Sequence, residues 1–227
     1  MHASARTMMA RCIERYLDTD RRQRVLDFGS RINVGQTQSH RDLLKGYDVS
    51  YLGVDVTDGP NVDVVMQAPY RLPLSGSSVD LVISGQVFEH VPYFWVSIME
   101  IARVLRPGGH VIITVPSRGH AHSSYDCWRY YPDGMRAMAA WSGMEIVEAS
   151  TDFPPGIPGS RGRHDYAAID PAGRYWGDTV GVLRKPTGSY PRLQTAVVRQ
   201  VVRWWANNLK DLQRAPKPKA PAPARKR

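Results

Sequence analysis

Arg24-Val25-Leu26-Asp27-Phe28-Gly29-Ser30, followed by Tyr51-Leu52-Gly53-Val54-Asp55, decides the fold. Each stretch is a short apolar run carrying an acid two positions from a glycine, and the second acid comes 28 residues after the first. Short apolar runs of this kind suit strands buried on both faces of a sheet. Acid and glycine at the carboxyl ends suit the crevice where open parallel α/β sheets hold a nucleoside. The turn after the first strand admits the ligand, and the carboxylate ending the second bonds a ribose.

Working outward, further strands are expected at Val62 to Val65, Val79 to Ser84, His110 to Val115, Met144 to Ala149 and Thr179 to Leu183. Helices are expected at Ala5 to Leu17, Gln36 to Lys45 (ended by Gly46), Phe94 to Leu105 and Pro132 to Trp141. Arg106-Pro107-Gly108-Gly109 reads as the turn into the fifth strand. Strands alternating with helices predict an α/β protein with a doubly wound, seven-stranded, mostly parallel sheet and a C-terminal helix. The chain divides into one domain over 1–190, a helix within 191–214 and a disordered Pro/Ala/Lys tail over 215–227. Two long loops, about 117–131 and 151–177, leave strand ends, where such sheets bind ligands.

The 227 residues are enough for one sizeable domain, and 42% hydrophobic content supports a packed core. The net charge is +9, but Lys217, Lys219, Arg225, Lys226 and Arg227 lie in the tail and leave only about +4 elsewhere. The basic balance is therefore largely a tail property, and no nucleic-acid partner is expected. Cys12 and Cys127 lack metal-type spacing and read as free thiols of a reducing cytoplasm. No apolar run reaches membrane-spanning length, and Met1 to Ala10 lacks the apolar core of a signal peptide. In the C-terminal helix Val197, Val198, Val201, Val202, Trp205, Leu209 and Leu212 form an apolar face with basic neighbours. That face either packs on the domain or a homodimer partner, or lies on a membrane surface.

Several elements stand together in order. They are Val25-Leu26-Asp27-Phe28-Gly29, Gly53-Val54-Asp55, Val79-Asp80-Leu81-Val82-Ile83-Ser84-Gly85, Phe88-Glu89-His90-Val91 and Arg103-Val104-Leu105-Arg106-Pro107-Gly108-Gly109. Over roughly Arg21 to Ala149 the chain resembles the Rossmann-like class I S-adenosylmethionine-dependent methyltransferases. The resemblance implies a cofactor site of Asp27, Phe28, Gly29 and Ser30 beside the methionine part, with Asp55 and Val56 at the ribose. It also places Gln67 and Ala68 beside the adenine, and Ser84 and Gly85 near the methionine amino group. Arg31 stands where most of these enzymes keep a second glycine, which leaves the path of the turn open, with Gly35 as a residue able to complete it. S-adenosylmethionine has no pyrophosphate, so the phosphate-gripping glycine turn is not needed. The Glu89-His90 pair reads as structural or cofactor-adjacent.

For the acceptor, Ser84-Gly85-Gln86-Val87 stands where base-amine methyltransferases carry an Asn/Asp-Pro-Pro-Tyr run, which disfavours that chemistry. Cys127, between Asp126 and Trp128, reads as packing rather than as the nucleophile of pyrimidine methylation. The loop from Arg118 to Pro132 gathers His120, His122, Asp126, Trp128 and Arg129. Methylating a hydroxyl needs a base near neutral pH, which His120 or His122 would supply; His164, in the second loop, is a further candidate. Asp126, paired with Arg129, instead reads equally as a brace for the following helix. Asp126, Asp165 and Asp170 are also candidates to hold Mg²⁺, although no spacing makes a metal site compelling. Aromatic faces and polar forks suit a sugar. The loop and the C-terminal extension resemble bacterial carbohydrate O-methyltransferases, notably the actinobacterial sugar 1-O-methyltransferases of methylmannose polysaccharide assembly. The expected substrate is a saccharide hydroxyl, against a quinone or other small metabolite, or a silent cofactor-binding module.

Overall fold

The computed structural model describes residues 3–67, 70–122, 125–152 and 176–188, together with Val197, Gln200, Val201 and Trp204. The chain opens with α1 (Ala3–Tyr16), then β1 (Gln23–Phe28), a short 3₁₀ helix (Arg41–Leu44), β2 (Val49–Asp55) and β3 (Val64–Val65). Next come β4 (Val79–Gly85), a 3₁₀ turn (Phe88–His90), α2 (Phe94–Val104), β5 (Leu105–Arg118), α3 (Pro132–Ser142), β6 (Glu145–Thr151) and β7 (Gly177–Arg184). The strands form one seven-stranded sheet in the order β3-β2-β1-β4-β5-β7-β6. The first five are parallel to one another, and β7 runs antiparallel to both β5 and β6. The sheet is doubly wound and mostly parallel, as expected from the sequence.

Alternation along the central strands builds a core on each face, because successive side chains point to opposite sides. Val25, Leu81, Ile83 and Ile112 pack on one face with Met9, Cys12 and Ile13 of α1. Leu26, Val82, Val111 and Ile113 pack on the other with Ile98 and Ile101 of α2 and Met135 and Met138 of α3. The spacing of Ala5, Met9, Cys12 and Ile13 gives α1 one buried stripe. Glu148 of the edge strand holds the outer side of α1 through Arg11 and through the Tyr16 hydroxyl, which donates at 3.1 Å. Pro132 starts α3 with the fixed φ of a first helical residue, and Gly143, at φ 70°, ends it with its amide reaching back to Ala140 at 3.3 Å.

Two elements differ from expectation. The helix predicted over Gln36 to Lys45 is reduced to the one turn Arg41–Leu44. Gln36-Thr37-Gln38-Ser39 has no apolar residue to bury, and the Asp42 carboxylate takes both the amide and the hydroxyl of Ser39, at 2.8 and 3.1 Å. Side-chain bonding of this kind competes with helix propagation. The Arg106-Pro107-Gly108-Gly109 turn lies inside β5, as an irregularity between the Val79–Leu105 and Leu81–His110 pairs. Pro107 cannot donate to a ladder, so it sits where pairing is interrupted. The second loop, with His164, Asp165 and Asp170, lies outside the described residues, as do Ala68, the tail and most of the predicted C-terminal helix. Val197, Val201 and Trp204 are helical and exposed. No helix among the described residues is long and apolar enough to cross a membrane.

Candidate active site

A cavity of about 710 Å³ opens at the carboxyl ends of β1, β2 and β4. Its wall contains Phe28, Gly29, Ser30, Asp55, Val56 and Gly85. These six residues come from three strand ends that the parallel pairing Asp27–Gly53 and Asp27–Ile83 brings side by side. Gly29 makes the admitting turn. Its φ is +80°, and a Cβ there would stand 2.2 Å from Cγ2 of Val87, so no larger residue fits without displacing that side chain. The amides of Gly29 and Ser30 both donate to the Val54 carbonyl, at 2.8 and 3.1 Å, which folds the turn against β2.

Asp55 is half-buried at the cavity wall. Its Oδ2 accepts from the Arg31 amide at 3.3 Å, and its Oδ1 from the Thr57 amide at 3.0 Å. A carboxylate has about four acceptor positions, so these two bonds orient it and leave capacity for a vicinal diol. Arg31 thus closes the turn through its backbone, while its guanidinium reaches Asn33 at 3.1 Å. Gly35 is not among the lining residues.

Asp27 and Ser84 lie beneath the cavity rather than on it. Asp27 is fully buried; its oxygens meet Nδ1 of His40 at 3.1 Å and the Tyr51 hydroxyl at 2.6 Å. Burial, with the Asp27 charge beside it, pushes the Tyr51 phenol far up, so it acts as a donor. Asn61 ties this network to the turn by donating to the Tyr51 oxygen at 2.9 Å and to the Ser30 carbonyl at 2.8 Å. The Ser84 hydroxyl donates to the Phe28 carbonyl at 2.9 Å. Gln67 is exposed and outside the cavity wall, where Met66 takes the adjacent place beside Val56.

The far end of the cavity is lined by Tyr70, Gln86, His90, Tyr93 and Tyr125. Here the loop after β5 is stitched to the turn after β4. The Cys127 amide donates to the Glu89 carbonyl at 2.7 Å, the Tyr130 hydroxyl to the Phe88 carbonyl at 3.2 Å, and Trp128 Nε1 to the Val91 carbonyl at 3.1 Å. Nδ1 of His90 bonds the Tyr125 carbonyl. Among the histidines singled out from the sequence, His122 is drawn into this cluster and His120 is left exposed. The ring of His122 meets that of His90 at 5.0 Å and that of Trp176 at 5.1 Å; His120 meets Trp176 at 4.7 Å.

Glu89 sits behind His90 with no exposed surface, and neither of its carboxyl oxygens has a hydrogen-bond partner. Its Oε1 is 3.6 Å from Nε2 of His90. Burial, reinforced by the charge of Asp126, pushes the Glu89 carboxyl up to about 8. Burial lowers the His122 imidazole, against the pull of Asp126, whose Oδ2 stands 3.2 Å from Nδ1 in a close contact short of a well-aligned hydrogen bond. Asp126 itself is held far below the usual carboxylate range, first by the Arg129 guanidinium and also by the His122 amide at 2.7 Å. Asp126 therefore braces the loop, as one of its sequence readings had it. Glu89 and His90 carried no sequence signal for chemistry beyond their adjacency, because the cluster depends on a loop folding back across more than thirty residues.

The comparisons with known proteins bear on the family and the fold. Residues 32–113 match the family model described as a methyltransferase domain. An uncharacterised methyltransferase of Mycobacterium ulcerans is 27% identical over 143 residues, covering 61% of this chain and 48% of its own. A "probable S-adenosylmethionine-dependent methyltransferase" of Mycolicibacterium smegmatis is 41% identical over 59 residues, 26% of this chain and 23% of its own. The chain thus spans about half the length, or less, of these curated relatives. Among solved structures, phosphoethanolamine N-methyltransferase 2 of Haemonchus contortus, with S-adenosylmethionine, superposes with a TM-score of 0.55 at 16% identity, over 79% of this chain and 52% of that one. The [4+2]-cyclase SpnF superposes with a TM-score of 0.59 at 18% identity, over 81% of each chain. At these identities the structural likeness concerns the fold, which hosts more than one chemistry.

Proposed function

We infer that a chain with a methyltransferase domain in a class I methyltransferase fold is an S-adenosylmethionine-dependent methyltransferase, and we propose that it methylates a hydroxyl of a polar, saccharide-like acceptor. The observation that supports the cofactor is Asp55, a carboxylate oriented by two amides with acceptor capacity facing the cavity. The donor set fits the group: Asp55 for the ribose diol, Val56 and Met66 for an adenine face, and the Gly29 turn for the methionine part. When bound, S-adenosylmethionine supplies an electrophilic methyl on a sulfonium.

The chain's own residues do the rest. Gln86, His90, Tyr93 and Tyr125 line the acceptor end, where tyrosine faces suit the apolar patches of a sugar ring and the polar tips suit its hydroxyls. With the cofactor held by Asp55 and the Gly29 turn, its sulfonium methyl would be the electrophile for the acceptor oxygen, whose proton a base must take. The hydroxyl proton leaves to an imidazole, that of His90 at the cavity wall or that of His122 against it. A base matched to neutral pH contributes about 10²–10⁴ in rate.

Calorimetric titration with S-adenosylhomocysteine tests the cofactor, and methyl transfer to mannosides, compared with phenols and quinols, tests the acceptor. Transfer to a saccharide with turnover lost in His122→Ala supports the reading. Turnover only on the phenolic or quinol panel overturns the acceptor class, and absence of cofactor binding overturns the activity.

A further inference from the structure

The donor atoms of Glu89, His90 and His122 lie within 4.8 Å of one another. Two neighbours on one element and a third from a loop thirty-two positions on converge on a single point. Two buried atoms of this cluster, both carboxyl oxygens of Glu89, make no hydrogen bond. A buried carboxyl left without a partner is costly, so something is expected to satisfy it. Nδ1 of His90 is engaged by the Tyr125 carbonyl, and its Nε2 stands 3.6 Å from Oε1 of Glu89. Two ligands on a tetrahedral ion, each bound at about 2.1 Å, stand roughly 3.4 Å apart.

We propose that Glu89, His90 and His122 form a binding site for a divalent first-row transition ion of the Zn²⁺ type at the acceptor end of the cavity. Two imidazoles and one carboxylate favour such an ion over Mg²⁺, which takes oxygen ligands. Three protein ligands leave one position open, as in catalytic rather than structural zinc sites. His90 lines the cavity, so that position adjoins the acceptor. Asp126, close to Nδ1 of His122 and fixed by Arg129, orients one ligand from behind, as outer carboxylates do in metal sites. The site stands on its own geometry. Only its use rests on the methyl-transfer reading: an ion there would acidify the acceptor hydroxyl or a bound water and take over proton removal from the free side chains.

The test uses the full chain, stripped with chelator and titrated with Co²⁺ followed by visible absorption, then with Zn²⁺ in competition. The expected result is one Co²⁺ per chain with a ligand-field band of low coordination number, displaced by Zn²⁺. Affinity should fall about 100-fold or more in His122→Ala and in Glu89→Gln, and about 10-fold in Asp126→Asn. Thermal melting and S-adenosylhomocysteine binding of each variant confirm the fold. Absence of stoichiometric Co²⁺ overturns the proposal. So does Co²⁺ binding that survives both ligand substitutions, since the ion then sits elsewhere. So does unchanged metal affinity in folded Glu89→Gln, which would show that Glu89 is a neutral buried acid. A chain that binds the metal at these residues but transfers no methyl group refutes the proposed function and leaves the site intact.

Discussion

Replacing Asp55 by alanine gives the most direct reading of the cofactor site. The carboxylate is held by the amides of Arg31 and Thr57 at 3.3 and 3.0 Å and retains capacity for two ribose hydroxyls. A hydrogen bond to a charged group contributes about 1.5–3 kcal/mol net. The half-buried position favours the lower figure, so both bonds together contribute about 3 kcal/mol. At about 1.4 kcal/mol per decade, Asp55→Ala should weaken S-adenosylhomocysteine binding roughly 150-fold. Asp55→Asn keeps one acceptor oxygen for the Thr57 amide or a hydroxyl and should lose about half of that free energy, roughly 10-fold in affinity. Asp55→Ala also removes the two local contacts at the turn, so a fall in its Tm of about 2–4 °C, equivalent to about 1 kcal/mol, is expected without loss of fold. Isothermal calorimetry on the parent and both variants, with melting curves beside it, decides the matter. Binding of Asp55→Ala within about threefold of the parent, in a folded protein, would refute the assignment of Asp55 to the ribose.

Other residues give independent checks. Gly29→Ala places a methyl 2.2 Å from Val87 Cγ2 at a backbone φ of +80°, and should cost about 2–4 kcal/mol in urea denaturation; Val87→Ala in the same chain should recover part of it. Asp80 is almost fully buried and accepts from Arg21 and Arg106 at 3.0 and 2.9 Å and from the Arg24 amide at 2.8 Å. Burial opposes its ionisation, but these three bonds prevail and hold its carboxyl below the ordinary value. A folded value below the unfolded one means that the stabilisation is complete above about pH 4 and fades as pH falls through the folded value. Asp80→Asn should therefore destabilise by about 1–2 kcal/mol at pH 7, with both arginines partly exposed, and by much less at pH 2–3; an equal loss at both pH values would contradict the charged role. Trp128→Phe keeps the ring contacts with Phe94 and Trp95 but loses the bond to the Val91 carbonyl at 3.1 Å. It should raise the acceptor KM with little change in cofactor affinity, read from steady-state kinetics beside calorimetry.

Much of the fold was legible because apolar runs of strand length, broken by glycine and proline, report burial on two faces without needing any partner to be known. Val79 to Ser84 reads as a central strand for that reason, and Asp55 stands out because an acid at the end of such a run has few structural uses. Asp27, equally conspicuous in the sequence, lies beneath the cavity. What hides it is the Tyr51 hydroxyl from the next strand and the His40 ring from the intervening loop. Neither contact has a sequence period. The helix expected after Gly35 also failed as a full helix, because a polar run beside a cavity has nothing to bury.

The sequence by itself determined the strand order's ingredients, the two helices that cover one face, the helix that covers the other, and the carboxylate at the cavity wall. Each rests on local pattern: alternation, helical spacing, or a charge at the end of an apolar run. Only the tertiary structure decided which histidines gather at the far end of the cavity and that Glu89 stands among them buried and without a hydrogen bond. The loop after β5 crosses back over the turn after β4 and is fastened there by backbone carbonyls of Phe88, Glu89 and Val91. Backbone acceptors are the same in every residue, so the side-chain sequence carries no record of where they bind.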